Sequence, residues 1–260
     1  MPLPADRSTL QAPASPLRLA LWGIAAALAF AGFVALGNWQ VHRRAWKLDL
    51  IARVGQRLQA PAVAAPGRAQ WAALNAASDE YRKLCLDGSF LHDHETLAQA
   101  VTRIGAGDWV MTPLRTPEGD VVLINRGFVA PEQRLSSTRS AGQLTGPRRV
   151  CGLLRLSEPR GGFLRRNDPA QGHWHSRDVA AMAAAQGLPA ADVAPYFLDA
   201  DDTPNPGGWP VGGLTVVRFH NSHLVYAFTW YALALLVAAG AALFARHEWR
   251  LRRPGGVLKS

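Results

Sequence analysis

The chain has 260 residues, of which 48 % are hydrophobic, and a formal net charge of +9. That length holds one sizeable domain plus membrane anchors, and a mean hydropathy of −0.02 excludes a polytopic transporter. The charge does not mark a nucleic-acid binder. The positives crowd beside two apolar runs, at Arg43, Arg44 and Lys47 and at Arg246, Arg250, Arg252 and Arg253, where anionic lipid headgroups are the simpler partner. Three methionines and no Cys-x-x-Cys also argue against a copper carrier, which wants soft sulfur ligands.

Residues 1–18 are rich in Pro, Ala and Ser and read as a disordered cytoplasmic tail. Leu19 to Trp39 carries no charge. The run continues well past its signal-like alanines, so a retained first transmembrane helix over 19–40 is expected rather than a cleaved leader. The helix should continue outward through Leu58, with Trp46, Leu50, Val54 and Leu58 at four-residue spacing on a face packed against the domain. Pro61 and Pro66 end it.

Residues 41–222 form the extramembrane domain. Gly67 to Ala77 reads as a short helix with Trp71 and Leu74 inward. Strands follow over Tyr81–Phe90, Thr96–Ile104, Trp109–Arg115, Val121–Phe128, Arg149–Leu156, Tyr196–Asp199 and Thr215–Phe219. Between the third and fourth, Thr116-Pro117-Glu118-Gly119-Asp120 is a hairpin turn, with Pro pre-setting φ and Gly supplying a positive φ. Asp178 caps a helix through Gln186, stopped by Gly187 and Pro189. Thr203 to Gly213 is a Pro/Gly loop around Trp209. The fold class is α+β: two transmembrane helices flank one mainly antiparallel-sheet domain with a few helices.

The second transmembrane helix spans 223–245, uncharged from Leu224 to Ala245, and residues 246–260 form a basic tail. That tail places the C-terminus in the cytoplasm. Two spans put both termini there, and in a bacterium the domain is then periplasmic, in the inner membrane. The positives after the first span hint the other way. Long domains, however, cross the membrane largely regardless of charge.

His223, Tyr226 and Trp230 are three and seven residues apart, one helical face at the entrance of the second span. An imidazole above two aromatic rings suits a flat hydrophobic metal cofactor; an interfacial aromatic belt with a solvated histidine explains the same residues. Other sites are weaker. His92-x-His94 and His173-x-His175 resemble metal-binding pairs but lack a third ligand. Asp201 and Asp202 are adjacent and point apart on a strand. Asn167-Asp168-Pro169 reads as a turn. Arg126, in Asn125-Arg126-Gly127-Phe128, has a carboxylate-binding reading and a preferred reading as a residue facing water. Cys85 and Cys151 are either two buried thiols or one disulfide. No nucleophile elbow, zinc-protease motif or phosphate loop occurs, so an enzyme is not expected.

Three blocks in order carry a resemblance: Leu36-Gly-Asn-Trp39-Gln40-Val-His-Arg43 with Trp46-Lys47; Ile124-Asn-Arg-Gly-Phe-Val129; and Asn221-Ser-His223-Leu-Val-Tyr226-Ala-Phe-Thr-Trp230-Tyr231. From about 36 to 245 the chain resembles the Surfeit locus protein 1 family, assembly factors for haem-copper cytochrome c oxidase. The family's usual Asn-Asn-His is here Asn221-Ser222-His223, with the His and the aromatic spacing kept. The resemblance implies an assembly factor and cofactor chaperone that places haem a into the catalytic subunit. His223 would be the ligand to the haem iron, Tyr226 and Trp230 would pack on the macrocycle, and Trp39 would close the opposite wall. The catalytic subunit, the haem a synthesis enzymes and membrane lipid are the implied partners, with no nucleic acid. A scaffold that stabilises the oxidase subunit without touching haem is the alternative.

Overall fold

A computed structural model describes residues 14–162, 164–215, 217, 219 and 221–252. It separates into two compact units, one holding the chain through Ile51 together with Phe219 onward, the other Ala52–Arg218.

The first unit is a pair of helices, α1 (Pro16–Gln59, whose last turns fall in the second unit) and α3 (His223–Arg252). Both are long and apolar enough to cross a membrane. At 1.5 Å per residue, the 44 residues of α1 reach roughly 66 Å, about twice the hydrocarbon thickness. The first span and its outward continuation are therefore one unbroken helix. It begins three residues before the expected Leu19 start, and the remainder of the expected tail, residues 1–13, lies outside the described residues. Likewise α3 runs seven residues past Ala245, and residues 253–260 of the basic tail lie outside the description. The helices pair antiparallel: Phe33 stacks on Trp230 with ring centroids 5.8 Å apart, while the Ala14 amide donates to Glu248 Oε2 at 3.1 Å at the far end.

The second unit is built on one sheet: β1 (Val63–Ala64), β2 (Lys83–Phe90), β3 (Thr96–Thr102), β4 (Gly105–Arg115), β5 (Val121–Val129), β6 (Arg148–Leu156) and β7 (Val193–Ala200). The order is β1-β2-β6-β7-β5-β4-β3, and β2 also pairs with β4 through Ser89–Arg115 and Phe90–Leu114. That extra pairing closes β2, β6, β7, β5 and β4 into a small barrel. Most pairs are antiparallel; β5–β7 and β1–β2 are parallel. The hairpin turn forms as the sequence dictates, with the Thr116 amide donating to Asp120 O at 2.8 Å and Gly119 at φ +91°.

Alternation along the strands separates two main clusters of the core, beside a smaller third one of Ala100, Phe128 and Leu214. Leu84, Leu114, Ile124, Leu154, Tyr196 and Leu198 fill the barrel, and Trp71, in a 3₁₀ turn at Arg68–Ala73, and Leu74, just after it, pack against them. On the outer face, Met111, Leu123 and Phe197 pack against Val179, Met182 and Ala183 of α2 (Val179–Ala185). Asp178 caps α2 by accepting from the Ala181 amide at 3.2 Å. Cys85 and Cys151 lie opposite each other across β2 and β6 and are disulfide-bonded.

Three expectations change. Trp46 is exposed beneath the Arg43 guanidinium, 4.0 Å from its ring centroid, rather than packed inward; of its series, Val54 is the buried member. Thr215, Val217 and Phe219 are not in a strand, and Val216 and Arg218 lie outside the described residues. The Thr215 hydroxyl instead donates to Asp199 Oδ2 at 2.9 Å. Arg126 does not face water. It is 2 % exposed, because it shares the inward face of β5 with Val122 and Ile124.

Candidate functional site

His223 is the first residue of α3, half-buried, and its Nδ1 lies 2.8 Å from the Gln40 side-chain oxygen. An amide oxygen only accepts, so in this contact Nδ1 is the donor, and the bond engages Nδ1 rather than Nε2. This is the arrangement by which a second residue orients a metal-ligating imidazole. Gln40 itself is 8 % exposed, so the amide is fixed in place by α1.

The neighbouring contacts hold the two helices in register. Tyr231 donates to Asn38 Oδ1 at 2.7 Å. Its ring lies where a Cβ on Gly37 would come within 2.6 Å, so only glycine admits the ring against α1. Trp230 is partly buried on Phe33, and its Nε1 is buried with no hydrogen-bond partner among the described residues. Tyr226 and Trp39 are about half exposed, at 53 % and 56 %. The structure therefore brings His223 and Trp230 to α1 and leaves Tyr226 and Trp39 on the surface of the helix pair. Sequence reasoning missed Gln40, Asn38, Gly37 and Phe33 as parts of this group. The signal was available: Asn38 and Gln40 are polar residues at the end of an apolar run, facing a second apolar run that opens with histidine.

The model of the SURF1 family matches residues 27–235 of the chain. The chain belongs to the SURF1 family. Surfeit locus protein 1 of Homo sapiens is 36 % identical over 216 residues, covering 76 % of this chain and 69 % of the relative. A SURF1-like protein of Monosiga brevicollis is 35 % identical over 235 residues, covering 85 % and 84 %. A SURF1-like protein of Caenorhabditis elegans is 34 % identical over 229 residues, covering 78 % and 67 %. The SURF1 match takes in the Gln40 end of α1, the sheet and the His223 end of α3.

Several other candidate residues of this SURF1 chain have structural partners. His92 and His94 sit in a 3₁₀ turn, not on a strand. Their rings bond to different carbonyls, those of Leu144 at 2.9 Å and Gln186 at 3.0 Å. His175 Nδ1 lies 2.8 Å from Gln99 Oε1. Asp168 caps the Pro169–Gln171 turn. Among the described residues no cluster of three or more His, Cys, Asp or Glu is placed to hold a metal ion. Asp199 is 2 % exposed and fully engaged, accepting from Asn125 at 2.8 Å and from Arg155 and Arg177 at 3.0 Å each.

Proposed function

We propose that this SURF1-family chain is an assembly factor for haem-copper cytochrome c oxidase that takes haem a as cargo at the membrane face and passes it to the catalytic subunit. The observation that carries the reading is the Gln40–His223 hydrogen bond, which engages Nδ1 and orients the other ring nitrogen, Nε2, of an imidazole at the first residue of α3. The residues present fit the cargo. His223 would supply one axial nitrogen, and the partly buried Trp230 and exposed Tyr226 would offer ring faces to the macrocycle. Bound haem a supplies the redox iron that the oxidase needs; the chain's own part is to hold and orient it. His223 would be a single protein ligand to the iron, which suits hand-over better than permanent storage.

Both termini are assigned to the cytoplasm and the sheet domain to the periplasmic side of an inner membrane. The Cys85–Cys151 disulfide supports that side, since disulfides persist in oxidising compartments. The haem a synthesis enzymes and membrane lipid are the further proposed partners. No catalytic role is assigned.

The second reading is a scaffold that stabilises the oxidase subunit without touching haem. It is favoured by the same contact, because Gln40 alone gives His223 a structural purpose. Complementation separates the two. In cells lacking the endogenous factor, His223→Ala should fail to restore haem a-loaded oxidase while still cross-linking to the catalytic subunit. Full restoration by His223→Ala would leave the scaffold reading in its place.

A further inference from the structure

The sheet domain has a cavity of its own at the mouth of the barrel. Where β5 and β7 end and β6 begins, a cavity of about 260 Å³ opens among the side chains of the sheet domain. Phe90, Ile124, Leu144 and Val150 form its apolar walls, and Arg126, Arg148 and Arg149 line it. Asp201 is the lining carboxylate, and its Oδ1 already accepts from the Thr203 amide at 3.1 Å. Among the described lining residues, cations therefore outnumber anions three to one.

Two of these guanidinium groups carry unused donors. Arg126 Nη2 donates to Gly142 O and reaches Asn205 Oδ1 at 3.4 Å. Its Nη1 is buried and has no hydrogen-bond partner among the described residues, and the residue is 2 % exposed. Arg148 Nε is likewise buried without a partner among the described residues. Buried polar hydrogens are almost always satisfied in native structures, and an orphaned donor on a charged group is costly. The Arg126 plane is held in place by the Phe90 ring, 4.9 Å from centroid to Cζ. Burial pulls the Arg126 pKa down to about 10, with Arg139 and Arg148 acting the same way against Glu95, so the group stays cationic at neutral pH.

We propose that the barrel mouth binds a carboxylate carried on a short apolar stem, held by Arg126 Nη1 and Arg148 Nε with the stem against Phe90, Ile124 and Val150. The donor set selects this chemistry. Nη1 offers two N–H groups and Nε one, which match the two oxygens of a carboxylate. A phosphate carries more oxygens and charge than these two donor groups match, and the Asp201 carboxylate in the same lining disfavours a dianion. The volume lies below the roughly 300–1,000 Å³ of drug-sized sites, so the bound group is small: a free short-chain acid or the terminal carboxylate of a peptide.

The test uses the full chain in detergent and fluorine NMR with trifluorobutyrate as the probe. Saturable binding is expected in the wild type, none for trifluorobutyramide, and at least tenfold weaker binding in Arg148→Gln and in Arg126→Lys. Arg148 is only partly buried, so its variant tests the site even where Arg126→Lys does not fold. Displacement by butyrate assigns a free acid. Displacement by a peptide with a free but not an amidated C-terminus assigns a chain end. The proposal is overturned if the wild type shows no saturable binding, if the amide binds as well, if inorganic phosphate displaces the probe as effectively as butyrate, or if Arg148→Gln binds as the wild type does.

Discussion

Tyr231 and Asn38 join the two long helices by a 2.7 Å hydrogen bond, and the tyrosine ring fills the space that a glycine leaves at position 37. The contact sets the register in which Gln40 meets His223. Gly37→Ala should therefore separate the helices, at a cost of about 1–3 kcal/mol for the overpacking. Tyr231→Phe, which removes only the hydroxyl, should cost about 0.6 kcal/mol and at most about 1.7. Unfolding in mixed detergent micelles checks both values. A Gly37→Ala protein as stable as the wild type would show that the ring is not held there.

The Cys85–Cys151 bond closes a loop of 66 residues between β2 and β6. In the chain-entropy model such a loop contributes roughly 4 kcal/mol by restricting the unfolded chain. Dithiothreitol should lower the melting temperature of the wild type and leave a Cys85→Ser/Cys151→Ser protein unchanged, the two converging once reduced. Free-thiol labelling of non-reduced, denatured protein should find none.

Glu95 and Arg139 form a buried bidentate pair, their side chains 10 % and 1 % exposed, with the Thr112 hydroxyl on the same carboxylate at 3.4 Å. Removing one partner leaves a buried charge alone. Glu95→Gln should cost about 3–5 kcal/mol in denaturant unfolding, and adding Arg139→Leu should recover part of it.

Glu158 gives the domain an acid limit. Burial pushes its pKa up, but the bonds from Arg177, by Nη2 at 2.5 Å, Nε at 3.1 Å and the backbone amide at 3.3 Å, outweigh it and hold the group below its ordinary 4.5. A lowered folded pKa means the stabilisation is complete above about 4.5 and is lost as pH falls through the folded value. Melting temperature should fall more steeply with acidification in the wild type than in Arg177→Gln. Parallel curves would contradict the assignment.

The legible parts of this fold were those written in local chemistry. The hairpin at Thr116–Asp120 announces itself through Pro117 and Gly119, and the short helix through Asp178 and Gly187. Both long helices follow from uncharged length alone. What escaped depends on partners distant in sequence. Closure of β2 on β4 and the parallel pairing of β5 with β7 have no local signature, since register across distant strands is set by the assembled core. Arg126 was misread because charge was weighed above alternation: its place beside Val122 and Ile124 on one strand face already pointed inward. At the helix pair, His223 and Trp230 stood out as residue types, whereas Gln40 gained meaning only once the histidine lay opposite it.

The most direct measurement is the absorption spectrum of the detergent-purified protein, co-expressed with haem a synthesis, for the wild type, His223→Ala and Gln40→Leu. Cofactor handling predicts a haem a band in the wild type, its loss in His223→Ala, and a weakened or shifted band in Gln40→Leu, where the imidazole loses its orienting partner. A wild type without any haem a band, or a His223→Ala protein that keeps it undiminished, would contradict the central claim and leave the scaffold reading standing.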